Sequence, residues 1–184
     1  MILVTCDVND EKYDDYTINM YKRFLDAKDF ERYFNMQDAL RKRVFLISRG
    51  ELRSKLGALM LMEPSEIHFT YNATGKPFIA SGEVYFSIAH TGCLIALVIS
   101  SQEIGVDIEA IKERNFAKIS QKLFNKEIAD SAEFYKIWTA NEAIAKCEGI
   151  SLLTQAKSYN IDAYDISHAM YQNAMITIAS RKMQ

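Results

Sequence analysis

Two periods of apolar residues divide this chain, and the order in which they occur constrains the fold more than any other feature of the sequence. Between about residues 30 and 62 apolar residues recur every three or four positions, as in a helix, and later they alternate, as in strands. The strand-like stretches are grouped together instead of alternating one by one with helices. This grouping predicts an α+β fold and not a doubly wound parallel sheet.

The first half combines one helical region with several strands. The region 30–62 ends at Pro64 and includes Ser48–Gly50, where we expect the helix to bend or divide. Strands are expected at Ile2–Cys6, 67–71, 84–88 and 93–100, with a loop at Gly75–Pro77 and a turn at His90–Gly92.

The same order of elements then occurs a second time. We expect a strand, two helices and two further strands, at Ile104–Glu109, 116–129, 132–147, 159–163 and 174–179. Gly149 suits the end of the second helix. The sequence therefore predicts two similar halves, residues 1–101 and 102–184, each with a small, mostly antiparallel sheet and packed helices. We expect them to form one compact unit with a functional site between them.

Composition excludes several classes of protein. The chain has 184 residues, 22 basic and 24 acidic, so its net charge of -2 argues against a strongly basic nucleic-acid-binding protein. Its longest purely apolar run, Cys93–Ile99, is too short to cross a bilayer, and the acidic N-terminal region does not resemble a signal peptide. The three cysteines are far apart, which disfavours disulfides and zinc. We expect a cytoplasmic monomer that binds neither nucleic acid nor membrane.

Two acidic residues on one predicted strand form a candidate metal site. Asp107 and Glu109 are two positions apart, so both side chains point to the same face of the strand. Paired carboxylates suit a hard cation such as Mg2+. The alternative interpretation is an exposed strand face with no ligand.

A stripe on the predicted helix 132–147 offers partners for that pair. Trp138, Glu142 and Lys146 are spaced four residues apart and share one helix face. Glu142 could complete a set of three carboxylates, and Lys146 could contact a phosphate beside it. Alternatively, the two charged residues form an ordinary surface pair.

A basic segment interrupts the near-neutral chain. Residues 41–55 contain six Lys or Arg residues and only Glu51 on the acidic side, a local charge of +5. Arg49 and Arg53 share a helix face and could clamp a phosphate group. The alternative is the solvated face of an amphipathic helix.

These features occur in an order that is typical of one enzyme family. The stretches concerned are Arg43–Arg53, Gly75–Pro77, Phe86–His90, Gly105–Glu109 and the pattern W-T-x-x-E-A-x-x-K at 138–146. Together they resemble the 4'-phosphopantetheinyl transferase superfamily, and in particular its two-halved, Sfp-type branch with pseudo-twofold symmetry. The resemblance covers about residues 32–153.

The resemblance implies a reaction, a metal and two partners. Members of the family transfer the phosphopantetheine arm of coenzyme A to a serine of an acyl or peptidyl carrier protein and release adenosine 3',5'-bisphosphate. We expect Mg2+, with Mn2+ as the alternative, and a carrier protein of fatty acid, polyketide or nonribosomal peptide synthesis.

The resemblance also implies roles for individual residues. Three carboxylates would hold the metal, and five other residues would contact the nucleotide end of coenzyme A. The metal ligands would be Asp107, Glu109 and Glu142; Gly75, Lys76 and Pro77 would border the adenine; and His90 and Arg53 would surround the 3'-phosphate. Lys146 would contact the phosphate chain, and Glu142 would accept the serine proton. Lys28 and Arg32 stand where the family often has further basic contacts.

Three positions depart from the family pattern. Asn141 stands where a lysine is usual, Ala89 where a serine is usual, and Glu127 comes one residue early after Phe124. Two other functions therefore stay open from the sequence. The chain could be a degenerate module that binds coenzyme A or a carrier protein, or another metal-dependent phosphoryl-transfer or hydrolytic enzyme.

Overall fold

The computed structural model describes residues 1–150 and 160–182. The elements are, in order, β1 (Ile2–Asp7), α1 (Asp15–Phe24), α2 (Ala27–Asn35), α3 (Ala39–Met60), β2 (Thr70–Tyr71), β3 (Pro77–Phe78), β4 (Tyr85–Thr91), β5 (Leu94–Ser100), β6 (Ile104–Ala110), α4 (Ala117–Phe124), α5 (Ser131–Glu148), β7 (Tyr164–Tyr171) and β8 (Ala174–Arg181). Strands and helices are grouped, which confirms the predicted α+β class. Across the described ranges, no helix is both long enough and apolar enough to cross a membrane.

Two three-stranded antiparallel sheets form the framework. Their strand orders are β1-β5-β4 and β6-β8-β7, so in each sheet the strand that comes last in sequence lies in the middle. A long helix belongs to each sheet, since α3 packs on β5 and α5 packs on β6 and β8. The shared strand order and the matching helices confirm the prediction of two similar halves. A short hairpin, β2–β3, is separate from both sheets.

The two sheets share one apolar core. Val98 on β5, Val106 on β6 and Ile176 on β8 are fully or almost fully buried in the same cluster. A polar contact also joins the sheets, because the Val106 amide donates a hydrogen bond of 3.1 Å to the Ser87 Oγ on β4. Burial of this shared core holds the edge of one half against the other.

Aspartates begin four of the helices. Asp14, Asp26, Asp38 and Asp130 each accept a hydrogen bond from a backbone amide in the first turn of α1, α2, α3 and α5. A side-chain oxygen at this position satisfies one amide that has no partner within the helix. Helix α1 and the first residues of α2, 27–29, lie in a region where the apolar pattern predicts no element.

The helical region 30–62 is divided, but not where the sequence suggested. The break lies at residues 36–38, where Asp38 caps α3, and α3 then runs without interruption through Ser48–Gly50. Gly50 serves a close helix contact instead, because a Cβ there would lie 2.1 Å from Cγ of Tyr21 on α1. The expected bend or division at Ser48–Gly50 is wrong for this reason.

Two boundaries in the second half also differ from expectation. The strand predicted at 159–163 is wrong for the residues that are described, since Ile161–Ala163 form a single 3-10 turn and the strand is Tyr164–Tyr171; Tyr159 lies outside the described residues. The helix predicted over 116–129 ends at Phe124, because Asn125 adopts a left-handed conformation with φ of 53°.

Candidate functional site

A basic cleft of about 920 Å³ opens between α3, β4, the β2–β3 hairpin and the C-terminal end of α5. Five cationic side chains line it, and a single acidic side chain, Asp38, does so among the residues that the structure describes. The cations are Arg32, Arg41, Arg49, Lys76 and Lys146. His90 also borders the cleft. This distribution favours an anionic ligand.

Lys146 connects the cleft to the predicted carboxylates. Its Nζ lies 2.6 Å from Oδ1 of Asp107, which is almost completely buried on β6. The close approach of α5 to β6 depends on Gly105, where a Cβ would lie only 1.9 Å from the Ala143 carbonyl oxygen. The absence of a side chain at this strand position therefore allows the helix that carries Lys146 to lie against Asp107.

Alternate side chains of β6 point to opposite sides, as its sequence pattern predicts. Val106 and Ile108 point into the shared core, so the alternate residues Gly105, Asp107 and Glu109 lie on the side of α5. Thr91 on β4 donates a hydrogen bond of 3.4 Å to Glu109 Oε2.

The carboxylates influence one another electrostatically. Burial, followed by the negative charge of Asp107, raises the pKa of Glu109. The same two causes, in the same order, raise the pKa of Glu142, while Lys146 acts in the opposite direction. Among the charged groups that interact here, three carboxylates stand against one ammonium, that of Lys146, so negative charge is in excess.

The donor set fits a hard cation in its chemistry. Asp107 Oδ2 is buried and has no hydrogen-bond partner. The raised pKa values of Glu109 and Glu142 mean that the anionic forms of these side chains are less stable than in water. Within residues 1–150 and 160–182, however, no three His, Cys, Asp or Glu side chains are grouped so that they could hold a metal ion. Lys146 is the direct partner of Asp107 in this arrangement. The unpartnered oxygen and the excess charge are what a divalent cation would compensate.

Arg53 does not lie in the cleft. Its side chain is 0% exposed and is held between Asp26 Oδ2, at 2.6 Å, and Asp29 Oδ2, at 3.1 Å. It also donates hydrogen bonds to the Ile67 and Pro64 carbonyl oxygens and stacks on Phe69. The role of Arg53 at a 3'-phosphate stays a prediction, and this position does not support it, because the side chain is enclosed within the protein and only its buried Nε has no hydrogen-bond partner.

Arg49 takes a different position although it shares a helix face with Arg53. Its Nε lies 3.4 Å from Asp29 Oδ1, and its side chain lines the cleft. Thus the two arginines do clamp a carboxylate between them, but that carboxylate is Asp29 of α2. Arg49, Arg41 and Arg32 are the arginines that face the cleft.

The loop Gly75–Pro77 lies in the cleft wall as the β2–β3 turn. Gly75 has a φ of 85°, a conformation that glycine adopts without strain. The Lys76 ammonium is already engaged, because it donates to Glu103 Oε2 at 3.1 Å and to the Cys147 carbonyl oxygen at 3.0 Å.

His90, near the end of β4, borders the cleft. Burial of its ring lowers the pKa of His90, and the positive charges of Lys146 and Arg41 lower it further. A neutral imidazole is thus favoured at this position.

The other residues that the sequence analysis singled out can be placed in the structure. The Asn141 side chain donates to the Ile137 carbonyl oxygen within α5, at 2.8 Å, so it supplies no charge to the site. Ala89 is buried in the shared core, and Glu127 is exposed beyond α4. Lys28 stacks on Tyr71, which itself lines the cleft.

Sequence reasoning missed one residue that organises the cleft wall. Asn72, which precedes the turn, makes four hydrogen bonds there. The signal was present, since Asn at the first position and Gly at the fourth, Asn72 and Gly75, are typical of a β-turn.

Comparison with known proteins agrees with the sequence motifs. Residues 103–176 match the model of the 4'-phosphopantetheinyl transferase superfamily, a range that begins just before β6 and continues into β8. The 4'-phosphopantetheinyl transferase gsp of Aneurinibacillus migulanus is 27% identical over 153 residues, which are 78% of this chain and 62% of that protein. The 4'-phosphopantetheinyl transferase Sfp of Bacillus subtilis is 28% identical over 141 residues, 71% of this chain and 61% of that protein.

A putative 4'-phosphopantetheinyl transferase of Synechocystis is 30% identical over 147 residues, 70% of this chain and 58% of that protein. The chain thus spans about three-fifths of the length of these curated relatives. The matched regions include β6 and α5, which carry the carboxylates and Lys146. The chain is therefore similar to the 4'-phosphopantetheinyl transferase superfamily, over residues 103–176 in its family model and over most of its length in these three relatives.

Proposed function

We propose that this protein transfers the 4'-phosphopantetheine group of coenzyme A to a serine of an acyl or peptidyl carrier protein. The observation that carries the proposal is that one cation, Lys146, borders both the basic cleft and the buried Asp107. A polyphosphate ligand in the cleft would then have its charged centre beside the acidic site.

The charge and size of the cleft suit coenzyme A. Five Lys and Arg side chains and one Asp side chain line the cleft. Its volume of about 920 Å³ lies at the upper end of the range for ligand pockets, roughly 300–1,000 Å³. Coenzyme A carries a pyrophosphate and a 3'-phosphate, and charge-assisted hydrogen bonds to such groups are the strong ones. We assign the 3'-phosphate to the arginines that face the cleft, Arg32, Arg41 and Arg49, together with His90.

The reaction is a phosphoryl transfer, in which charge neutralisation and positioning provide most of the catalysis. The serine oxygen forms a bond to the phosphorus that carries the pantetheine arm, and the bond from this phosphorus to the bridging oxygen breaks. Adenosine 3',5'-bisphosphate leaves with that bonding electron pair. Glu142 would accept the serine proton, and Lys146 would contact the phosphate chain and offset its negative charge.

Asp107, Glu109 and Glu142 would hold Mg2+, or Mn2+ as the alternative. When bound, the cation would offset the charge of the pyrophosphate. The unpartnered, buried Asp107 Oδ2 supports this assignment. Gly75, Lys76 and Pro77 would border the adenine.

The position of the site between two halves, the cellular location, the oligomeric state and the partner belong to the same proposal as the reaction. The site would lie between halves of residues 1–101 and 102–184, and the chain would act as a cytoplasmic monomer without nucleic acid or membrane. Its partner would be a carrier protein of fatty acid, polyketide or nonribosomal peptide synthesis.

A second function is favoured by specific observations. Asn141 supplies no charge beside the carboxylates, and Lys146 is paired with Asp107. A protein with these features could bind coenzyme A without turnover.

One experiment separates these functions. The protein is incubated with coenzyme A, MgCl2 and several apo carrier proteins, with and without EDTA, and the products are weighed by mass spectrometry. We expect a carrier to gain one phosphopantetheinyl group only when MgCl2 is present. Asp107→Ala and Glu142→Ala should each abolish the gain while circular dichroism still reports a folded chain.

Each contrary result has a distinct meaning. Coenzyme A binding without modification of any carrier would support the binding module. Release of phosphate products from coenzyme A without a carrier would support a hydrolytic enzyme. Full activity of either carboxylate variant would contradict the metal site.

A further inference from the structure

Three side chains join the β2–β3 turn to the end of α5, and of these Asn72 also organises the turn itself. Within the turn its Oδ1 accepts hydrogen bonds from the backbone amides of Thr74, at 3.0 Å, and Lys76, at 2.8 Å. Its Nδ2 points the other way and donates to the Gly149 carbonyl oxygen at 3.0 Å. The two ends of the amide therefore serve two different elements.

The end of α5 offers carbonyl groups that need such partners. The last carbonyls of a helix have no partner within it, and Gly149 ends α5 in a left-handed conformation with φ of 65°. The hairpin covers them, since Lys76 Nζ reaches the Cys147 carbonyl oxygen at 3.0 Å and Thr74 Oγ1 lies 2.5 Å from that of Gly149.

The contact is too close for a side chain on the helix residue. A Cβ at Gly149 would lie 2.7 Å from Asn72 Nδ2. The turn thus lies directly on the helix end, and the two elements cannot move apart without breaking the hydrogen bond of Asn72 to Gly149 together with those of Thr74 and Lys76.

These two elements form adjoining parts of the cleft wall. Thr74, Gly75 and Lys76 line it from the hairpin, and Lys146 and Gly149 line it from α5. We propose that Asn72 is a positioning residue that holds the hairpin part of the wall at a fixed distance from Lys146, so that coenzyme A meets a preformed cleft. This inference rests on the proposed function, because coenzyme A is the ligand concerned.

The expected effect is on binding more than on the chemical step. Asn72 contacts a wall and not the carboxylates, so its loss leaves the reacting groups in place but requires the ligand to order the hairpin. We therefore expect the KM for coenzyme A to rise about tenfold while kcat at saturating coenzyme A stays within about twofold.

Two substitutions separate the turn from its link to α5. Asn72→Ala removes every side-chain contact. Asn72→Asp keeps an oxygen that accepts from the turn amides, but it loses the N–H donor and places an oxygen against the Gly149 carbonyl. Ala73→Asp is the matched control, because it adds the same charge at an exposed neighbouring position of the same turn.

The test measures KM and kcat for transfer from coenzyme A to a carrier protein, with Kd by calorimetry and unfolding temperature for each variant. The result expected is a raised KM and Kd in both Asn72 variants, near-wild-type kcat, and wild-type values for Ala73→Asp.

Several results would overturn the inference. A wild-type KM for Asn72→Asp would show that only the turn contacts matter, and an equal rise for Ala73→Asp would show a charge effect. A fall in kcat at unchanged KM would indicate loss of folded protein. If the wild type binds coenzyme A without transfer, the proposed function fails but Kd still tests Asn72; if it does not bind coenzyme A, both proposals fail.

Discussion

Replacement of Arg53 by methionine distinguishes a buried structural arginine from a phosphate ligand. Methionine is similar in length and fills the apolar part of the space against Phe69, but it offers no donor. In the wild type the guanidinium contacts Asp26, Asp29 and two backbone carbonyls, while its side chain is 0% exposed. We therefore expect Arg53→Met to reduce the free energy of unfolding and to leave affinity for coenzyme A largely unchanged.

The size of the effect follows from the burial of both partners. Asp29 is 1% exposed and would lose its closest cation, while Asp26 is 20% exposed and can recover some hydration. Removal of one partner from a buried ion pair typically costs about 3–5 kcal/mol. With a urea m-value of about 2 kcal/mol/M, that loss lowers the unfolding midpoint by roughly 1.5–2.5 M.

Urea unfolding gives the stability, and calorimetry at a temperature where both chains are folded gives the affinities for coenzyme A and dephospho-coenzyme A. Arg49→Met is the matched control, because Arg49 shares Asp29 but also faces the cleft. We expect Arg49→Met to weaken the binding of coenzyme A more than the binding of dephospho-coenzyme A. A stable Arg53→Met variant with a selective loss of coenzyme A affinity would refute the structural role.

Three further predictions concern α5 and its neighbours. Gly105→Ala should destabilise the fold by about 1–3 kcal/mol or more in urea unfolding, because the new Cβ would lie 1.9 Å from the Ala143 carbonyl oxygen; a loss below about 0.5 kcal/mol would contradict the close packing. Lys146→Met should reduce kcat for transfer by about 100-fold in steady-state assays, and a loss under about threefold would contradict its role. Hydrogen bonds from Arg181 hold the pKa of Glu148 below its ordinary value, so the stability that it contributes is present at neutral pH and is lost as the pH falls through its folded-state pKa. In urea unfolding, the stability difference between wild type and Glu148→Gln should therefore shrink on acidification, and a difference that does not change with pH would contradict this pairing.

The site was predictable where a regular period determines direction. Alternation along one strand puts Asp107 and Glu109 on one face, and four-residue spacing puts Glu142 and Lys146 on one helix face. The contact between Lys146 and Asp107 was not implied by either period alone. It depends on how closely α5 approaches β6, which Gly105 allows.

The position of Arg53 could not be predicted because its partners are distant in sequence. Asp26 and Asp29 belong to α2, a helix that carries exposed aromatic residues and that the apolar pattern outlined only in part. A basic residue on a helix face has the same sequence pattern whether it meets solvent or a buried carboxylate.

The failure to predict strand β7 has a related physical cause. It is an edge strand in which most side chains are exposed on both faces, so apolar alternation along Tyr164–Tyr171 is weak. Its partner β8 is almost fully buried and was predicted, because its side chains pack on both sides.

The transfer itself is the most direct test of this account. An apo carrier protein and the same carrier with its acceptor serine replaced by alanine are each incubated with the protein, coenzyme A and MgCl2, and intact masses are measured over time. We predict that the serine-containing carrier gains one phosphopantetheinyl group for each adenosine 3',5'-bisphosphate released and that the alanine variant gains none. A carrier mass that does not change while coenzyme A remains intact would contradict the account.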